Sequence, residues 1–224
     1  MSTSAPETDL AQYYALRAHE YEAVYAKPER QVDIAQIQAW LPGAFEGRDG
    51  VEVACGTGFW TPFAARRASR WLATDLNEET LVLARRKPVD GERVRFERRD
   101  AYASWDAPRF DAAFAGFWWS HVPLNRLGDW LAALHSGLRP GARVVLMDNR
   151  YVEGSNHPIH RRDAQGNTYQ LRRLADGSQH EVLKNFPTQA EALAVLGPQA
   201  SAVQWTETTY YWLLCYTWAP EARG

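Results

Sequence analysis

The chain has 224 residues, 46% hydrophobic and 23% charged, a composition that suits one globular domain with room for a small lid or insert. Its 25 basic and 27 acidic residues leave a net charge of −2, so no strong field draws it to nucleic acid or to an anionic membrane. The sequence shows no basic-then-apolar leader, no apolar run near ~20 residues and only two distant cysteines, Cys55 and Cys215; it is expected to be a soluble cytoplasmic monomer or homodimer rather than a secreted disulfide framework or a membrane protein.

Aromatic and apolar residues spaced by three and four predict an amphipathic helix over residues 7–25, and a second runs from Pro28 to Leu41, stopping at Pro42-Gly43. "GVEVACGTG" reads as a strand ending in glycines, followed by a helix from Thr61 to about Ala68. "RWLATD" is a strand, "NEETLVLARR" a helix capped by Asn77, and "RVRFERRD" and "RFDAAFAG" are strands. "PLNRLGDWLAALHSGL" is a helix striped by Leu124, Leu127, Leu131 and Leu134, and "ARVVLMD" follows the Pro140-Gly141 turn as a strand. This alternation, with strands too apolar to face water, predicts an α/β fold with a doubly wound, mostly parallel sheet. After Asp148 the pattern breaks: "RRLADGSQHEVL" reads as a hairpin turning on Asp176-Gly177. "PTQAEALAVLG" is a helix with a Thr188/Glu191 capping box, and "AVQWTETTYYWLLCYTW" supplies two last strands antiparallel to each other.

Gly56 and Gly58 give the first strand-to-helix turn room for a ligand near the backbone. With Phe59, Trp60 and Thr61 following, the G-x-G lacks the third glycine of the dinucleotide fingerprint, and alone it fits an ordinary tight turn equally well. Asp75 ends the second strand, where an acid can accept from ribose hydroxyls. Asp100 follows the third, placed for an adenine amino group with the Ala101 N–H beside it. Together with Glu52 these acids lie at successive strand ends, where open α/β sheets bind ligands.

"VEVACGTGFWT", "ATD", "RRDAYA", "FDAAFAGF" and "LRPGARVVLMD" resemble the successive motifs of class I S-adenosylmethionine-dependent methyltransferases, over roughly residues 50 to 148. The resemblance implies a seven-stranded Rossmann-like sheet, an S-adenosylmethionine cofactor and S-adenosylhomocysteine as product, with no metal. It implies cofactor contacts from Glu52, Ala54, Cys55, Gly56, Gly58, Trp60, Thr61, Asp75, Leu76, Asp100, Ala101, Tyr102 and Phe117. "YYALRAHEYEAVY", "GTGFWT", "FWWSHVP" and "RRLADGSQHEVLKNF" further resemble small bacterial O-methyltransferases of acidic metabolites, such as the phosphonate O-methyltransferase of dehydrophos biosynthesis. On that likeness residues 1–45 form a helical lid bringing Tyr14, Arg17 and Tyr21 to the cofactor and Tyr25 to the substrate, although Tyr13, Tyr14, Arg17 and Tyr21 also fit one packed helix face. Residues 46–148 form the cofactor-binding core, 149–186 a substrate cap with an inserted β-hairpin, and 187–224 complete what is a single domain overall.

A carboxylate or phosphonate acceptor is already ionised and needs cations to orient it, whereas an alcohol, phenol or amine needs a base. The insert offers Arg150, Arg172, Arg173 and Lys184 for an acid, with Arg173 and Lys184 expected at the reacting group. A solvated hairpin explains any single one of these arginines as well. After the fourth strand, "FWWSHVP" places Trp118, Trp119 and His121 beside the substrate. Only one of the two tryptophans can face it, and His121 is either a catalytic group or a cap on the next helix. Three readings compete: O-methylation of a small, anionic acid, N- or hydroxyl-O-methylation of a small molecule with His121 as base, and non-catalytic cofactor binding. The net charge, and the absence of an Asn/Asp-Pro-Pro-aromatic motif after the fourth strand, weigh against nucleic acid as substrate.

Overall fold

The computed structural model describes residues 12–15, 18–174 and 177–220. Five strands run parallel in the main sheet: β1 (Asp49–Val53), β2 (Arg70–Asp75), β3 (Val94–Arg98), β4 (Phe110–Gly116) and β5 (Leu138–Asn149). A smaller antiparallel sheet follows, made of β6 (Arg161–Arg162), β7 (Thr168–Arg173) and β8 (Gln179–Leu183). The chain then returns to the main sheet as β9 (Ala200–Glu207) and β10 (Tyr211–Trp218), and β10 pairs antiparallel with both β5 and β9. The resulting seven-stranded order is β3-β2-β1-β4-β5-β10-β9, the mostly parallel Rossmann-like sheet expected from the sequence.

Helices α1 (Gln31–Ala44), α2 (Thr61–Ala64), α3 (Glu78–Ala84), α4 (Leu127–Ser136) and α5 (Gln189–Leu196) complete the layers. The two faces of the sheet bury separate cores, and strand alternation assigns each residue to one of them. On β10, Tyr211, Leu213 and Cys215 join Ile34, Ile37 and Leu41 of α1. Their neighbours Trp212, Leu214, Tyr216 and Trp218 join Leu127, Leu131 and Leu134 of α4. Each buried aliphatic side chain contributes roughly 1.5–3 kcal/mol, so a strand apolar at every position is stable only between two such layers. No helix among the described residues is long and apolar enough to cross a membrane.

Several local expectations shift. The first helix appears as a helical turn at residues 12–15 and a 3₁₀ helix at Ala18–Ala26, while residues 7–11, 16 and 17 lie outside the described residues. A 3₁₀ turn at Pro28–Arg30 precedes α1, which runs through Pro42 to Ala44, since a proline in the last turn forfeits one bond without ending the helix. The helix after the glycine turn stops at Ala64 rather than Ala68. Leu124 lies in a 3₁₀ turn before α4 and is exposed, while the other three leucines of its stripe are buried. β5 starts at Leu138 and absorbs the Pro140-Gly141 turn, with a register shift against β4 between Phe110 and Ala112. The insert is a three-stranded sheet rather than a hairpin alone; Gly177, at φ 86°, stands beside the turn, and Asp176 lies outside the described residues. Thr188 and Glu191 do form the capping box.

Candidate active site

The parallel strands end on one edge of the sheet, and two adjoining cavities lie there. Tyr14, Tyr21, Phe117 and His121 line both, so they form the boundary between them.

The first cavity sits over the glycine turn. Gly56, at φ 57°, has open space where a side chain would stand, so its backbone lies bare to a ligand. Gly58, at φ 74°, does a different job: a Cβ there would meet the Ala84 Cα at 3.0 Å. It provides the close helix packing that the motif seemed to lack. Two non-glycine residues in the cavity wall also hold left-handed backbone, Ala54 (φ 54°) after β1 and Phe117 (φ 65°) after β4. Such strain persists only where surrounding packing over-determines it, and it clusters at functional sites.

Asp75, Leu76, Asp100, Ala101 and Tyr102 line this cavity. Burial pushes the Asp75 carboxyl up, countered by donors from the Asn77 and Gly56 N–H groups and the Thr80 hydroxyl. Its Oδ1 accepts from Asn77 N at 2.9 Å and Oδ2 from Gly56 N at 2.9 Å. Asn77 stands at the N-cap of α3 but makes no side-chain cap bond, so Asp75 braces this turn as well as facing the cavity. Asp100 is exposed and spends Oδ1 on Tyr102 N at 2.9 Å. Asn77, Thr80, Arg99 and Gly116 also line the cavity, and the sequence motifs did not single them out.

Other expected contacts lie outside its lining. Glu52 is buried beneath the turn, where Trp71 Nε1 donates to its Oε2 at 2.9 Å and desolvation raises its carboxyl to about 7. Cys55 ties its N–H to the Thr74 carbonyl, Trp60 packs on Tyr25 and Phe117, and Thr61 is fully buried. Arg17 lies outside the described residues.

The donor set fits a sulfonium nucleoside rather than a dinucleotide. An acid pair faces apolar walls from Leu76, Ala101, Phe117 and Trp118. Arg99 gives NH2 to the Ser104 carbonyl at 2.7 Å and covers the Trp105 ring at 3.7 Å. Over the turn, Glu22 accepts from the Thr57 hydroxyl at 2.8 Å and pairs with Lys87 at 2.5 Å, which brings the Ala18–Ala26 helix down on the glycines.

The tryptophan ambiguity resolves by position. Trp118 lines the first cavity, not the second. Trp119 is buried edge-on between Trp130 and Trp212 and belongs to the core. His121, 5% exposed, is held from both sides: Nδ1 bonds the Leu183 carbonyl at 2.7 Å and Nε2 bonds the Tyr14 hydroxyl at 2.7 Å. Desolvation, then the charge of Lys184, pushes its basicity well below the usual range.

Tyr25, Arg172 and Lys184 line the second cavity, with Lys27, Arg30, Asn149, Ser155 and Gln170, which the sequence reading did not single out. Gln170 and Arg172 share one face of β7, while Arg173 is exposed on the other; strand alternation removes it from the site. Arg150 is also elsewhere, bonding the Thr208 carbonyl at 2.6 Å and pairing with Glu207 at 3.1 Å. Lys184 is 4% exposed, with Nζ 2.8 Å from Asp148 Oδ1 and 2.5 Å from Ser120 Oγ. Desolvation lowers its ammonium to about 8. Burial alone would raise Asp148, but the Lys184 ammonium, with the Ser120 N–H, holds its carboxyl below the ordinary range. Tyr13 packs the lid onto Leu174 and Val182 of the insert. Among the described residues no His, Cys, Asp and Glu group is arranged to hold a metal ion.

The family pattern described as a methyltransferase domain matches residues 51–141. No curated protein sequence matches the chain significantly. Among solved structures, the chain is similar to DhpI in complex with SAH, at 25% identity and TM-score 0.79 over 98% of this chain and 100% of that one. It is similar also to DhpI with SAM and HEP, at 26% identity and TM-score 0.76 over 96% and 99%. The fold is shared with the Burkholderia thailandensis 1,6-didemethyltoxoflavin-N1-methyltransferase, at 19% identity and TM-score 0.63 over 98% and 93%. A methyltransferase-domain match thus spans the strand ends that build the first cavity, and the whole chain is similar to structures holding SAH or SAM, which supports an S-adenosylmethionine-dependent methyltransferase.

Proposed function

We propose that this methyltransferase acts on an oxygen of a small acid, a carboxylate or a phosphonate. One observation carries the reading: Lys27, Arg30, Arg172 and Lys184 line the cavity beside the cofactor site, and among its described lining residues there is no Asp or Glu. Arg172 gives NH2 to Gln170 Oε1 at 2.8 Å, and its buried Nε has no protein partner. A guanidinium edge left in that state suits an anionic oxygen.

The chemistry agrees with the electrostatics. Bound S-adenosylmethionine supplies an electrophilic methyl carbon, which an ionised oxygen takes while the carbon–sulfur bond pair stays on sulfur. Ala54, Gly56, Asp75, Asp100 and Phe117 would hold the cofactor, and Tyr14, Tyr21 and Tyr25 exclude water above the two cavities. No proton has to move, so an imidazole of depressed basicity is no handicap; it orients the Tyr14 phenol. The second reading, an amine or hydroxyl acceptor, draws on the His121 Nε2 lone pair and needs a stronger base than this burial allows.

Methyl-transfer assays on matched panels of small acids, phenols and amines test the proposal. Turnover of acids supports it, and turnover confined to phenols or amines overturns it. Arg172→Met is expected to raise KM for the acid about tenfold or more with SAH affinity kept, whereas Arg173→Met on the exposed face leaves KM alone.

A further inference from the structure

We propose that the acceptor carries two acidic groups, and that Lys27 and Arg30 form the subsite for the second. This rests on the reading of the cavity as an acid site. The cavity holds two cation pairs with different attachments. Lys184 follows Leu183, whose carbonyl holds His121, so Lys184 and Arg172 belong to the wall next to the cofactor boundary. Lys27 and Arg30 belong to the wall made by the end of β5 and the loop after it. Arg30 gives Nε to Ser155 Oγ at 3.0 Å, NH2 to the Ser155 carbonyl at 3.3 Å and NH1 to Asn149 Oδ1 at 2.8 Å. The Lys27 ammonium also donates to the Ser155 carbonyl.

The charge balance of the two walls differs. Lys184 has Asp148 as its counter-ion. Arg30 is 2% exposed, yet every group it bonds is neutral, and its guanidinium lies over the Tyr210 and Tyr211 rings at 5.3 and 5.6 Å. Glu29, from the same turn, is exposed and accepts the Ser155 hydroxyl at 2.9 Å instead of pairing with either cation. A buried guanidinium without a carboxylate is costly unless a ligand supplies the anion. Two guanidinium and two ammonium protons remain for it after the bonds above, and Ser155 holds both side chains in place.

One acid group would therefore lie between Arg172 and Lys184 and receive the methyl, while the other anchors on Lys27 and Arg30. In the step, one ionised oxygen gains a bond to the methyl carbon, the carbon–sulfur pair remains on sulfur, and the diacid leaves as a monoester with one negative charge fewer. Loss of one of two anchored charges also favours release of product over substrate.

The test uses the full chain loaded with SAH for calorimetry and with SAM for turnover. The probes are unbranched dicarboxylates and phosphonocarboxylates, each beside the mono-amide that keeps one acid group. The expected result is a diacid that binds and reacts with kcat/KM roughly tenfold or more above its mono-amide, chiefly through KM. Lys27→Met, at a half-exposed position that spares Arg30, is expected to bring that ratio several-fold closer to one in both binding and turnover. Mono-amides handled as well as diacids overturn the second subsite while acid methylation stands, as does a ratio unmoved by Lys27→Met. No turnover of any acid overturns both.

Discussion

His121 Nε2 accepts a hydrogen bond from the Tyr14 hydroxyl at 2.7 Å across the boundary of the two cavities, joining the lid to the end of β4. The Leu183 carbonyl can only accept, so Nδ1 carries the proton and Nε2 offers its lone pair. The imidazole is thus neutral, and burial keeps it so. In an NMR titration the His121 ring should stay neutral through pH 6.5. A protonation midpoint at or above that pH would sink the assignment. Tyr14→Phe should weaken ligand binding by about 1 kcal/mol, roughly fivefold, by removing one lid bond.

The buried Lys184–Asp148 pair predicts both a mutational and a pH effect. Asp148→Asn leaves the ammonium buried without its counter-ion and should cost about 3–5 kcal/mol, seen as a Tm lower by roughly 10 °C. Because the folded ammonium titrates near 8, below its ordinary 10.5, the unfolded chain holds more protons between those values. The contribution of Lys184 to stability therefore rises as pH climbs from about 8 to 10.5. Urea melts across that window should show the rise, and Lys184→Met should flatten it.

Glu52 gives the opposite slope. Its folded carboxyl sits near 7 against an ordinary 4.5, so the folded chain holds the extra proton. That stabilising effect is full below about 4.5 and disappears as pH rises through 7. Glu52→Gln keeps an acceptor for the Trp71 indole and removes the ionisation. Denaturation at pH 8 should find the variant more stable by on the order of a few kcal/mol, with the acid-side slope gone.

The turn backbone separates two kinds of substitution. Gly58→Ala drives a Cβ against Ala84 and strains a left-handed φ, costing about 1–3 kcal/mol. Ala54→Gly relaxes the left-handed φ at the end of β1, worth about 1 kcal/mol or a few degrees in Tm. Thermal melts of both variants, with and without SAH, measure the difference; a stabilising Gly58→Ala would refute the packing role.

Much of the site's cofactor side was legible in the sequence. Strands apolar at successive positions, a glycine turn at the first strand end and acids at the next two are local signals. Asp75 and Asp100, at the strand ends those signals mark, line the first cavity. The second cavity was less legible. Arg172 and Arg173 are neighbours, and only the facing of β7 separates them. Arg30, near the start of α1, meets Ser155 only through a contact 125 residues long.

The sequence by itself therefore determined the parallel sheet, the cofactor turn and the order of strand ends, because periodicity and backbone freedom act over a few residues. Tertiary structure decided which tryptophan lines a cavity, which arginine of β7 faces the second cavity and how His121 is held. Those depend on segments distant in the chain returning to one edge of the sheet, where burial removes water and leaves each charge to the partners that the fold provides.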